Sequence, residues 1–305
     1  MQAVRIYEYG GPEKLTFEED VPDPVLGNDS VLIETAATSV NPIDWKVRSG
    51  ARQKDFPLRL PAILGIDVSG VVRAVGGNVR TFKPGDRVLA MANATYAGLV
   101  AVDGSVLAHL PDGCDLVDSA AIPLVAMTGD QLVRLVAGAR RGRSIIVTGA
   151  LGSVGRAAVH TAKKLGLHVI AAVRAAQLAA ASALGVETLA VDDRAAIARF
   201  AMVDAVADTV GGETAAALFA KVQDGGSFGY ASVLPEGIAA KYPAVTVTRV
   251  YARPDASKIR EFADDVRDGK FVLPVSRRMA LRDAPEAHAL AQSGGAGKIV
   301  LVTGR

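Results

Sequence analysis

Cysteine is almost missing from this sequence: Cys114 is the only one in 305 residues. A single thiol makes no intrachain disulfide and no cysteine-based structural metal site, and it suits a reducing compartment. Aromatic residues are scarce at 5%, and the formal net charge is only +2. There is no basic tail and no interleaving of basic and aromatic residues, so a nucleic-acid partner is not expected. No apolar run reaches about 18 residues, which argues against a membrane span. The stretch MQAVRIYEYGGPEKLTFEED has no basic region followed by an apolar one, so it does not read as a signal peptide. The expectation is a soluble cytoplasmic protein.

Hydrophobic residues, by contrast, make up half the chain, enough for a sizeable core and two domains. Up to about residue 117 the pattern is short β-branched runs broken by turns, including SVLIETAATSV, DVSGVVRAVG and GLVAVDGSVLAHL. That reads as a β-rich domain. From Asp118 strands alternate with helices: SIIVTGA, VGRAAVHTAKKLG, HVIAAV, RAAQLAAASALG, ETLAVDD, VDAVADTVG, GETAAALFAKVQDG, GSFGYASV and AVTVTRVYA. Such alternation specifies an α/β domain with a doubly wound, mostly parallel sheet. The terminal strand KIVLVTG has no βαβ partner in this reading and is expected to return to the first domain, which makes the α/β domain an insertion.

The glycines of TGALGSVG are Gly149, Gly152 and Gly155, spaced G-x-x-G-x-x-G between a strand and a helix. A strand aimed into a helix leaves unpaired N–H groups at the turn that suit a pyrophosphate. Gly152 would admit the phosphates to the backbone, and Gly155 would let the helix pack near the sheet. The plain alternative is a tight turn that binds nothing. Arg174 stands 19 positions beyond Gly155, directly after HVIAAV. An acid there would take hydrogen bonds from a ribose, whereas an arginine can offset the charge of a 2'-phosphate, which favours NADP(H) over NAD(H). The alternative is a solvated arginine at a helix start. Asp192 and Asp193 either face the adenine side or cap RAAIARFA.

SVNPIDWKVRSG, PAILGIDVSGVVRAVGGNV, FKPGDRVLA, AAIPLVAMTG, VTGALGSVG and GGAGKIVLV, in that order, resemble the medium-chain dehydrogenase/reductase superfamily, in its zinc-free, zeta-crystallin-like quinone oxidoreductase branch. The resemblance implies a GroES-like domain from residues 1–119 and 256–305 around a Rossmann-like NADP-binding domain of residues 120–255. It implies that Asn41 lies beside nicotinamide and substrate, that Asp44 and Arg48 organise the cleft, and that the Thr128 hydroxyl approaches the nicotinamide end. Ser153 and Val154 would contact the pyrophosphate through their backbone. Gly211, Ala231, Ser232 and Lys298 would line the cofactor. A homodimer is also implied, and VTVTRVYA reads as a strand that could extend the sheet edge to edge.

Departures from the pattern are Ser153 where glycine is frequent, Asp130 where a tyrosine is frequent, and a short MANATYAGLV loop. Asp130 either changes the local polarity or caps its helix. The zinc-bearing branch has Gly-His-Glu where this chain reads Gly65-Ile66-Asp67, and Ile66 has no ligand atom. His109, His160, His168 and His288 form no ligand spacing and are read as surface or packing residues, so no metal is expected. Asp67 is read as structural.

Without a metal, reduction of an acceptor that is already electrophilic demands least of the protein. The expected reaction is hydride transfer from NADPH to a quinone or to the β-carbon of an α,β-unsaturated carbonyl, over roughly 3–3.5 Å. Donors to the developing anion would be Asn41, Tyr96 and Thr128. Tyr96 either orients the carbonyl or is a packing or rim tyrosine. Trp45 and Phe56 either wall the pocket or belong to the core. Alternatives are a reductase for one metabolic enone, or a non-catalytic NADPH-binding regulatory protein.

Overall fold

The computed structural model describes residues 1–137 and 142–304. The chain divides into two compact units, Met1–Leu124 with Pro254–Arg305, and Val125–Arg253.

The first unit begins with β1 (Ala3–Ile6), β2 (Thr16–Glu18) and β3 (Ser30–Ser39). Helix α1 (Pro42–Arg48) follows, then β4 (Ala62–Ile63), β5 (Asp67–Val75), β6 (Arg87–Met91), β7 (Leu99–Asp103) and β8 (Leu107–His109). Strand β3 alternates at its start, Val31 and Ile33 buried and Glu34 exposed, and this period of two fixes which face meets the core. β1 pairs with β2 and β4 in a small antiparallel sheet.

The second unit holds most of α2 (Pro123–Ala137), then β9 (Ser144–Thr148), α3 (Ser153–Lys164), β10 (His168–Val173), α4 (Leu178–Ser182) and β11 (Glu187–Ala190). It continues through α5 (Arg194–Arg199), β12 (Val203–Asp208), α6 (Gly212–Phe219), β13 (Val222–Tyr230) and β14 (Thr246–Arg249). Its sheet is parallel throughout, in the order β11-β10-β9-β12-β13-β14. Both faces are covered. Ile145 and Val147 pack with Ala158 and Ala162 on one side, and Ile146 packs with Leu218 and Phe219 on the other.

The last segment adds α7 (Ala256–Arg267), β15 (Val275–Ala280), α8 (Ala284–Ser293) and β16 (Lys298–Val302) to the first unit. The larger sheet of that unit runs β15-β16-β3-β5-β6-β8, with β7 also on β3. β16 pairs antiparallel to β3 and parallel to β15, so β15, α8 and β16 form a βαβ unit. The terminal strand therefore has the partner the sequence reading denied it. β15 escaped notice because it reads VSRRMA, with Ser276, Arg277 and Arg278 exposed on a sheet edge and no apolar alternation. A second difference is that α6 ends at Phe219, and the following residues go to β13. Val222 is buried and pairs with Val203, which outweighs the helical pattern of the segment. No helix among the described residues is long and apolar enough to cross a membrane.

Candidate functional site

In the second unit the turn between β9 and α3 is shaped by its glycines. Gly149 sits at φ +58°, in the left-handed region. A Cβ on Gly155 would lie 2.1 Å from the Gly149 carbonyl oxygen, so only glycine allows α3 to start this close to the strand. A Cβ on Gly152 would meet only that same oxygen, at 3.2 Å, and otherwise open space. Gly152 is the N-cap of a twelve-residue helix with no side-chain cap. The first N–H groups of α3, including those of Ser153 and Val154, have no intrahelical acceptor. Space beside Gly152, free N–H groups and the positive helix end fit a pyrophosphate.

The floor beside this turn is tied together by Asp208, a residue the sequence reading passed over. Its carboxylate is fully buried and takes hydrogen bonds from Thr148 Oγ1 at 2.8 Å, Ser232 Oγ at 2.7 Å, Gly211 N at 3.2 Å and Val210 N at 3.3 Å. One acid thus fixes the carboxyl ends of β9 and β12 and the turn after β13. Ala231 N adds a bond to the Asp208 carbonyl at 2.9 Å. Gly211 has φ +82°, and a Cβ there would meet the Val233 oxygen at 2.5 Å. The structure therefore brings Gly211, Ala231 and Ser232 together with the glycine turn at the carboxyl edge of the sheet. The available signal was an acid closing the apolar strand VDAVAD.

Arg174 is exposed at the end of β10, its Nε 3.4 Å from Gln177 Oε1, with no acid in ion-pair range among the described residues. Asp192 accepts from Ala175 N at 2.7 Å, and Asp193 caps α5 through Ala196 N at 2.9 Å. Thr128 is half-buried on α2. Asp130 neither caps a helix nor faces solvent: it is buried, bonded to Thr161 Oγ1 at 3.0 Å and Arg134 Nε at 2.7 Å, and links α2 to α3.

In the first unit Asn41, Asp44, Arg48, Tyr96 and Lys298 come together in one buried polar network with Ser39, Asp67 and His288. Pro42 opens α1, and Asp44 Oδ2 closes back on the Asn41 N–H at 2.7 Å, an N-terminal cap that the Asn-Pro-x-Asp spacing encodes. The Asn41 amide is committed on both sides. Its Nδ2 donates to Asp67 Oδ2 at 2.8 Å and Ser39 Oγ at 3.2 Å, and its Oδ1 accepts from Lys298 Nζ at 2.6 Å. Lys298 also lies 3.7 Å from Asp67 Oδ2, and Leu124 N donates to Asp67 Oδ1 at 2.7 Å. Asp67 is structural as read, anchoring Asn41 and Lys298.

A second branch runs from Asp44 into the core. The Tyr96 hydroxyl donates to Asp44 Oδ2 at 3.2 Å and lies 2.9 Å from His288 Nε2, and Arg48 Nη1 lies 2.8 Å from His288 Nδ1. A guanidinium can only donate, so Nδ1 accepts, Nε2 carries the proton, and Tyr96 accepts it. Arg48 also donates to the Gly10 carbonyl at 3.2 Å and to Gln292 Oε1 at 3.0 Å. Burial holds His288 neutral, its pKa lowered to about 3, with the Arg48 charge adding to the effect. Burial raises Asp44 to about 7 against the pull of the Asn41 N–H, and the Asp67 charge adds to the rise. Burial lowers Lys298, opposed by Asp67 and Asp44.

Two of the expected donors lie in the interior. Tyr96 is fully buried with its hydroxyl engaged on both sides, the packing alternative of the sequence reading and not a rim position. Asn41 has no amide hydrogen left for an acceptor and is itself 1% exposed. Trp45 packs at the margin of the core around Val47 and Leu64, whereas Phe56 is 38% exposed with the Arg52 guanidinium 5.4 Å from its ring centroid. Cys114 is buried and its thiol is raised by that burial. His288 is fully buried, while His168 is exposed beside Glu187. Among the described residues no group of three His, Cys, Asp or Glu could hold a metal ion.

Two family models match the chain: the alcohol dehydrogenase GroES-like domain over residues 27–112, and the zinc-binding dehydrogenase over residues 184–301. A quinone oxidoreductase of Pongo abelii is 38% identical over 172 residues, 56% of this chain and 52% of that protein. The chain thus spans about half the length of the curated relatives it matches. The quinone oxidoreductase structure from Coxiella burnetii superposes with TM-score 0.89 at 25% identity, covering 100% of this chain and 99% of that one. A mycobacterial protein solved in complex with NADPH gives TM-score 0.84 at 26% identity over 99% of this chain and 100% of that one. With both domain types matched in order, the chain belongs to the medium-chain dehydrogenase/reductase superfamily, as a quinone-oxidoreductase-like member.

Proposed function

We propose that the protein is an NADPH-dependent, metal-independent oxidoreductase that reduces a quinone or an α,β-unsaturated carbonyl. The observation that carries this is the glycine turn, where Gly155 is held against the Gly149 carbonyl while the side of Gly152 stays open, ahead of an uncapped helix. When bound, NADPH supplies the hydride. Gly152, Ser153 and Val154 would hold its pyrophosphate, Gly211, Ala231 and Ser232 its nicotinamide end, and Arg174 its 2'-phosphate. Asp208 positions Gly211 and Ser232 through the bonds described above. From the expected set of donors, we take the Thr128 hydroxyl as the group that would support negative charge on an acceptor. In the first unit Asn41, Asp67 and Lys298 hold one another in a buried polar network, Asp44, Trp45, Arg48 and Phe56 are the proposed acceptor-side residues, and the nucleotide-binding part is taken as residues 120–255.

The test is a matrix of NADPH and NADH against quinones and short and long enones, with products identified. Cofactor oxidation matched by reduced product supports the reading. Saturable NADPH binding without turnover across the matrix would leave a nucleotide-binding regulatory protein instead. Turnover confined to one enone would identify a dedicated metabolic reductase. The same proposal includes a cytoplasmic homodimer joined through the free backbone edge of β14, which light scattering after size exclusion tests; a monomer at all concentrations removes the dimer.

A further inference from the structure

A cavity of about 320 Å³ lies wholly in the second unit, near the carboxyl ends of β13 and β14. Val233, Leu234, Ile238 and Val247 give it apolar walls, and Tyr230 and Arg249 line it as well. Arg249 is half-buried and stands opposite Tyr230 in the strand register. Its guanidinium is 4.9 Å from the Tyr251 ring centroid and 6.0 Å from that of Tyr230. Those faces are its only partners: among the described residues it has no carboxylate and no hydrogen bond, and the Tyr230 hydroxyl has none either. A half-buried cation with free in-plane N–H groups, beside a free phenol and an apolar wall, asks for an anion with an apolar body. A phosphate would leave the apolar wall unused and find only one cation. A neutral apolar guest would further desolvate the guanidinium without pairing it.

We propose that this cavity binds a small amphipathic carboxylate, with Arg249 and the Tyr230 hydroxyl taking the carboxylate and Val233, Leu234, Ile238 and Val247 its apolar body. Its size falls at the lower end of the roughly 300–1,000 Å³ typical of ligand sites. The wall of the cavity is also the segment tied to Asp208. Ser232 Oγ bonds that acid at 2.7 Å, and the Val233 carbonyl accepts from Gly212 N at 3.1 Å. Occupancy therefore bears on Gly211 and Ser232 and shifts cofactor affinity, a clause that rests on the NADPH reading above. Side chains stand out of the sheet plane while the free edge of β14 points along it, so a filled cavity is compatible with edge-to-edge pairing.

The test uses the full chain without cofactor and octanoate as probe, in calorimetric titration. Expected is saturable one-to-one binding, weakened about tenfold or more by Arg249→Gln and several-fold by Tyr230→Phe. Octan-1-ol, titrated into the unchanged protein, should bind about tenfold more weakly than octanoate, which keeps the test decisive if a variant fails to fold. Non-saturable uptake, equal binding of octanoate and octan-1-ol, or equal binding by Arg249→Gln overturns the proposal. So does absent binding in a dimer that Arg249→Gln dissociates, since the cavity would then belong to a second copy of the chain. Octanoate binding in a protein that never binds NADPH would sink the oxidoreductase reading and leave this site standing. If both bind and NADPH affinity is unchanged at saturating octanoate, the coupling clause alone fails.

Discussion

Replacing His288 with glutamine should make the protein more tolerant of acid while weakening it at neutral pH. The imidazole is fully buried, accepts from Arg48 and donates to Tyr96. Its pKa falls from 6.5 to about 3 in the fold. A depressed histidine contributes stability that is complete above its unfolded value and is lost as pH falls toward the folded one, because the unfolded chain takes up the proton first. The slope over that window is about 1.4 kcal/mol per pH unit. Between pH 7 and pH 5 the wild-type chain should therefore lose about 2 kcal/mol that His288→Gln does not lose. Against this, glutamine keeps a donor for Tyr96 and strands the Arg48 N–H, a pH-independent cost of about 1–3 kcal/mol. Urea unfolding of both proteins at pH 7, 6 and 5 reads out the histidine, since titrations that the substitution leaves untouched cancel in the difference. A constant difference across the three pH values would refute the buried neutral imidazole and the direction of the whole Arg48–His288–Tyr96–Asp44 chain.

Asp44→Asn should show the opposite sign. With Asp44 raised from 3.8 to about 7, its stability is full below pH 4 and lost as pH rises through 7, so the variant gains on the wild type by on the order of 4 kcal/mol across that window in the same unfolding series. Gly152→Ala and Gly155→Ala should separate binding from folding. The first, meeting one oxygen at 3.2 Å, should keep its Tm and lose NADPH affinity, whereas the second, at 2.1 Å from backbone, should lose both. Equal Tm losses would place Gly152 in the packing and not in a phosphate cradle. Arg174→Glu should weaken NADPH far more than NADH in a fluorescence titration, by about 1.5–3 kcal/mol if a charge-assisted bond is lost, and equal losses would return Arg174 to the status of a solvated arginine.

Sequence patterns reached the parts of this fold where one physical signal dominates. The parallel sheet announces itself because strands such as SIIVT and HVIAAV are buried on both faces, and the glycine turn because Gly149 and Gly155 meet backbone demands that other residues cannot. β15 gave no such signal: an edge strand needs little apolar character when one neighbour and a helix supply its order. Local pattern pointed the wrong way at Val222, where it reads as helix, because the strand pairing with β12 is a tertiary decision. Among the proposed site residues, those on the turn could be read from the glycine spacing together with the strand before it and the helix after it. Asp208 and His288 could not, because the partners that complete their roles include ones 24 to 240 residues away in the chain.

The same distinction explains why the expected donors changed. From sequence, Asn41 and Tyr96 carry polar groups near a cleft motif, and a free polar group is a candidate for chemistry. A buried one must first satisfy its own hydrogen bonds, and the cost of failing is larger than what a catalytic contact of ordinary strength returns. Asn41 meets that requirement through Asp67, Ser39 and Lys298, and Tyr96 through Asp44 and His288. Both are therefore braces, and removing either would leave a buried charge or donor unmatched before it touched turnover. Thr128, the third member of that set, is half-buried on α2. Thr128→Val, which keeps the shape and deletes the hydroxyl, should lower kcat per folded molecule. Tyr96→Phe should do the reverse, with a lower Tm and a nearly unchanged kcat per folded molecule. If Tyr96→Phe instead abolished turnover in a protein of normal Tm, the phenol would have to reach the acceptor, and the buried arrangement described here would be wrong.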